Sequence, residues 1–123
     1  MTFTGKIKGQ ILEGVTDLSE MFYKARDFNG DISNWNVVSK VENMSGMFCN
    51  AEAFNKKLNT WDVSSVTNMY RMFSPGWTGA SIPFNQDISG WDVRKVTNCN
   101  GLSTNASNFE DKKNLLSLVV TLN

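Results

Sequence analysis

The stretch FNKKLNTWDVSSVTNMYRMF, residues 54–73, decides how the chain is read, because its neighbours repeat it with variations. FNGDISNWNVVSKVENMSGMF fills residues 28–48, and FNQDISGWDVRKVTNCNGL fills residues 84–102. Trp35, Trp61 and Trp91 hold one equivalent position, 26 and then 30 residues apart. Recurrence at such a spacing marks a stacked repeat, in which no unit buries its own apolar face and each is covered by its neighbours.

Each unit carries an apolar triplet: Ile32, Trp35, Val37, then Leu58, Trp61, Val63, then Ile88, Trp91, Val93. This is the strand spacing of a leucine-rich repeat with Trp in the middle slot. A second apolar set follows, Val41, Met44, Met47, Phe48 and Ala51 in one unit, with steps of three and four that share a helical face. The pattern predicts a strand, a short helix and a return loop in each unit. The expected fold is therefore α/β, a short leucine-rich-repeat-like solenoid of strand-loop-helix units with a narrow parallel sheet.

Val15, Leu18, Met21, Phe22 and Ala25 align with the second set, so the array starts before its first Trp. Phe3, Ile7 and Leu12 keep the first pattern, with Gln10 in the Trp slot, as suits a terminal unit with one face in water. We expect one domain over residues 1–123: an N-terminal cap at 1–14, repeats at 15–109 and a closing segment at 110–123. Within the last, residues 116–122 read as a strand, with a short helix as the alternative. Residues 74–83, SPGWTGASIP, hold both prolines and Trp77, the Trp that the repeat does not require. Pro-Gly is turn chemistry, so a loop is predicted to protrude there.

A 41% hydrophobic content suffices for one core if units stack. Twelve basic and twelve acidic residues cancel, which removes any general attraction to nucleic acid or to an anionic membrane. No apolar run is long enough to cross a bilayer, and MTFTGKIKGQILEG lacks the apolar core of a secretory signal. Cys49 and Cys99 fall two units apart, beyond disulfide reach, and are expected to be free thiols. With no His, no phosphate-cradling Gly motif and no nucleophile beside a base, neither an enzyme nor a cofactor or metal site is expected. Asp31, Asp62, Asp87 and Asp92 recur because the repeat recurs.

Two sets of residues are candidates for binding a partner. On a strand, Asn34, Asn36, Thr60, Asp62, Asp92 and Arg94 would face outward and line a concave surface. Asp62 and Asp92 would repel there, and Arg94 or a bound cation would relieve them. The second set is Trp77, flanked by Pro75 and Ile82, an aromatic anchor for a partner's pocket. Asn29, Asn55, Asn85 and Asn43, Asn68, Asn98 recur at turns and are expected to satisfy backbone groups between units.

The segments FNQDISGWDV and WDVSSVTNMYRMF resemble the BspA-like leucine-rich repeats, the 26-residue repeat of bacterial surface proteins, with relatives in protists and large DNA viruses. The resemblance covers about residues 15–102. It implies a one-handed solenoid, a role in adhesion or protein binding, and no catalytic residues. The expected function is that of a non-enzymatic structural repeat protein with protein partners in a larger assembly, such as a minor capsid or cement protein of a virion. The alternative is an adhesin-type module of a bacterial surface protein that binds host protein or glycan at the cell surface. Neither nucleic acid nor membrane insertion is expected, and a small-molecule ligand is disfavoured.

Overall fold

Each repeat unit is built from successive tight turns, as seen in a computed structural model that describes residues 14–35, 39–75 and 83–102. Most of the expected cap, the loop residues 76–82 and the closing segment 110–123 lie outside the described residues. Helix accounts for 3% and strand for 5% of the described chain, and no sheet is formed, which overturns the expected strand-loop-helix α/β architecture. The misreading has a local cause in both halves of the unit.

The supposed strand is a turn. Trp35 N–H donates to the Ile32 carbonyl at 3.2 Å, Trp61 to Leu58 at 3.1 Å and Trp91 to Ile88 at 3.1 Å. Asp31 Oδ1 accepts the Ser33 N–H at 2.9 Å, as Asp87 does from Ser89, so a short polar side chain closes the bend. A second bend follows, with Val66 N–H on the Val63 carbonyl and Val96 on Val93, both at 3.0 Å.

The supposed helix is a run of three turns. In the second unit Met47 N–H bonds the Met44 carbonyl, Cys49 bonds Gly46, and Ala51 bonds Phe48. The alternate residues point their N–H groups elsewhere: Met44, Gly46, Phe48 and Asn50 donate to Asn68, Tyr70, Met72 and Ser74 at 2.7–2.9 Å. Leu18, Glu20, Phe22 and Lys24 donate to Asn43, Ser45, Met47 and Cys49 in the same manner. Half of the backbone thus closes its own turns, and half ties one coil to the next. Gly46 and Asn50 have φ of +62° and +61°, the left-handed conformation that the third residue of such a turn demands and that a helix forbids.

These bonds stack the described chain into coils, over residues 14–35, 39–61, 62–75 together with 83–91, and 92–102. Their backbones run parallel and meet at single bridges between Asp17 and Asn43, Asn43 and Asn68, and Asn68 and Asn98. Each coil begins part-way through a sequence unit, because Phe48 of one unit packs in the same layer as Phe54 and Trp61 of the next. Phe48 and Phe54 stack at 4.3 Å between ring centroids, as do Phe22 and Phe28; Phe73 and Phe84 stack at 4.2 Å. Between layers the rings form columns: Phe22, Phe48 and Phe73 at 5.4 and 5.7 Å, and Trp35 over Trp61 at 6.1 Å. The indole Nε1–H of Trp61 donates to the Ile32 carbonyl at 2.9 Å, and that of Trp91 to Leu58 at 3.0 Å. Each of these two tryptophans therefore fills its own layer and pins the preceding one.

Candidate functional site

The residues expected to form an outward row on a strand lie instead in or beside turns, where Asp62 and Asp92 serve the turns and Thr60 reaches the preceding coil. Asn34, Thr60, Asp62 and Arg94 are exposed and Asp92 is half-buried. Asp62 Oδ1 accepts the Ser64 N–H at 3.0 Å, and Thr60 Oγ1 donates to the Ser33 carbonyl at 2.8 Å. Arg94 grips Asp92 with Nε at 2.9 Å and Nη2 at 2.8 Å, and its own N–H lies 3.2 Å from Oδ1. The Arg94 side-chain bonds hold the Asp92 carboxyl down to about 2, and bonds from Ser64 lower that of Asp62 against opposition from Asp92. Arg94 is thus what relieves Asp92, and the described residues hold no group of three His, Cys, Asp or Glu placed to bind a metal ion. Pro75 is buried, while Trp77, Ile82 and Asn36 lie outside the described residues.

The asparagines are engaged likewise. Asn43, Asn68 and Asn98 each accept the N–H two residues on, as does Asp17, at 2.8–3.1 Å. Asn29 Oδ1 accepts Asn55 N–H, and Asn55 Oδ1 accepts both Asn85 N–H and Gln86 Nε2, each at 2.9 Å. A hollow of about 340 Å³ is lined by Lys56, Lys57, the Asp31–Ser33 pair that closes its own turn, and Asn55 and Gln86, which tie one coil to the next.

A different groove, of about 230 Å³, crosses the run of turns on the first three coils. Gly46 and Cys49 form its middle, Glu20 and Tyr23 its wall on the first coil, and Tyr70 and Arg71 its wall on the third, with Ser45 beside Gly46. Gly46 occupies the slot that Glu20 and Arg71 fill in adjacent coils, so the groove is the space left by a missing side chain. An added Cβ there would come within 3.3 Å of Glu20 Cγ. Tyr23 and Tyr70, 36% and 41% exposed, are the exposed large hydrophobic residues among those described, and both border this groove.

The groove's polar groups divide into two kinds. Its main-chain N–H groups at Glu20, Gly46 and Cys49 are all used between or within coils. Among the described residues no side-chain hydrogen bond or ion pair engages the Glu20 carboxylate, the Tyr23 hydroxyl or the Ser45 hydroxyl. Lys24 Nζ lies 5.3 Å from the Tyr23 ring centre, and the Arg71 guanidinium 5.4 Å from that of Tyr70. Arg71 Nε also donates to the Tyr70 hydroxyl at 2.9 Å. Burial pushes the Cys49 thiol up, so it stays protonated at neutral pH, and both cysteines are free. Sequence reasoning missed this groove because Tyr23, Ser45 and Tyr70 fall at positions that vary from unit to unit.

The family described as "Mycoplasma protein of unknown function, DUF285" matches residues 1–115. The chain belongs to the DUF285 family. No curated protein and no solved structure matches this DUF285 chain. Among its described residues no helix is long and apolar enough to cross a membrane.

Proposed function

We propose that this DUF285 chain is a non-enzymatic recognition module, a rigid stack of coils that presents the groove between Tyr23 and Tyr70 to another macromolecule. The groove carries the proposal, because it joins exposed aromatic surface to carboxylate and hydroxyl groups that the fold itself does not use. The recurring carboxylates Asp17, Asp31, Asp62, Asp87 and Asp92 do the opposite: each accepts a bond from its own turn, which supports a structural reading for them and weighs against catalysis. The Mycoplasma in the family's description supports a bacterial setting over a viral capsid or cement role.

The test is a photo-reactive phenylalanine analogue in place of Tyr70, with a second one in place of Thr97, exposed outside the groove. Cells of the source organism supply the candidate partners. We expect one defined adduct from position 70 and none from position 97, and Tyr70→Ala should weaken binding of that partner by about tenfold or more. Equal background labelling from both positions would reject the groove as a recognition site.

A further inference from the structure

Given that the groove is a recognition site, its chemistry narrows what it takes. We infer that it binds a neutral pyranose ring of a glycan, held between Tyr23 and Tyr70 and hydrogen-bonded to Glu20 and Ser45. The volume of about 230 Å³ suits a single six-membered ring carrying hydroxyl groups, not a folded surface element.

Charge favours neither a cationic nor an anionic guest. A cationic guest would compete with Lys24 and Arg71, which already sit against the two tyrosine rings. An anionic guest would gain no net attraction from the lining, because Glu20 on one wall offsets Arg71 on the other. A neutral polyol meets neither objection. Its hydroxyls both donate and accept, which matches Glu20, an acceptor only, and the Ser45 and Tyr23 hydroxyls, which do both.

Main-chain chemistry points the same way. An extended peptide gains affinity by pairing its backbone with exposed N–H and C=O groups. Here Glu20 N–H bonds Ser45 O, Gly46 N–H bonds Tyr70 O, and Cys49 N–H bonds Gly46 O, so the floor offers no such ladder. Recognition falls to side chains, and the aromatic pair supplies the apolar faces that a sugar's C–H groups pack upon.

The experiment applies the full-length chain to an array of immobilised oligosaccharides, neutral ones built from glucose, galactose, mannose and N-acetylhexosamines alongside sialylated and sulfated ones. We expect binding to a neutral subset. Tyr23→Ala and Tyr70→Ala should each weaken it at least about tenfold, and Glu20→Gln at least about fivefold. Lys95→Ala, outside the groove, serves as control. Saturation-transfer NMR on the unaltered chain with the best neutral oligosaccharide should show magnetisation passing from tyrosine rings to pyranose protons, which needs no variant to fold. No binding on the array, binding confined to acidic glycans, or neutral binding that survives both tyrosine substitutions would overturn the inference. A protein adduct from position 70 that persists after deglycosylation would overturn it too, while leaving the recognition module itself standing.

Discussion

Glu20, Lys24 and Arg71 hold φ of +59°, +59° and +52° in slots where Gly46, Asn50 and Gly101 sit in neighbouring coils. A side chain in that conformation costs roughly 1–2 kcal/mol, because its Cβ crowds the following carbonyl. Lys24→Gly should therefore stabilise the chain by a few tenths to about 1 kcal/mol, the gain being offset partly by the freer unfolded chain. Gly46→Ala should do the reverse by about 1–2 kcal/mol, with a tight approach to Glu20 added. Urea denaturation of both variants checks the pair, and equal stabilities would contradict the assigned backbone. Asp92 provides a second residue to measure. Its carboxyl is held below the ordinary 3.8 by Arg94, so its contribution to stability is full above pH 3.8 and fades as the pH falls through about 2. An NMR titration should find its midpoint near 2, and Arg94→Ala should return it toward 3.8.

The turns explain which parts of the architecture were legible. Equivalent positions were plain in the repeat, because Trp35 and Trp61 recur for a packing reason and stack with planes 7° apart. What the spacing did not reveal was backbone conformation. Burial at Met44, Met47, Phe48 and Ala51 suits a helix, yet a run of overlapping four-residue turns buries the same set. Gly46 and Asn50 were the clue, being turn formers inside the supposed helix, but Glu20 and Arg71 in the same slot argued against it. The strand misreading has a similar origin: Ile32 and Trp35 are three residues apart, whereas a strand repeats in twos, and the Asp31–Ser33 pair signalled a bend. Trp61 tests how far these turns rest on their tryptophans. Trp61→Ala should cost about 3–5 kcal/mol, since the ring is buried beneath Trp35 and against Phe48. Trp61→Phe keeps a ring and loses the bond to Ile32 O, for about 1 kcal/mol plus the smaller ring's packing deficit. Thermal unfolding of both would show whether ring or bond matters more.

Across the molecule, coils differ most at the third, and Pro75 gives the physical reason. It stands in the slot of Lys24 and Asn50, whose φ is positive, whereas proline fixes φ near −65°. The turn found in the first two coils therefore cannot form there, and the sequence departs from its pattern directly afterwards. That departure was visible as extra residues between Phe73 and Phe84, while the reason for it required the backbone.

Along the run of turns the hydrogen bonds that join the coils point toward the later coil, donors at residues 18–24 reaching 43–49 and donors at 44–50 reaching 68–74, whereas Glu42, Thr67 and Thr97 at the start of each run donate back to Thr16, Glu42 and Thr67. Such a stack has a head and a tail, and mechanically it resembles a zipper with few teeth per row. Pulled apart between residues of its first and fourth coils, it should not shear all at once. It should peel coil by coil, each rupture paying out 25 to 30 residues, or roughly 90 Å of slack. An optical-tweezer trace with evenly spaced steps of that length would show the peeling, and a single large step would show that the coils yield together.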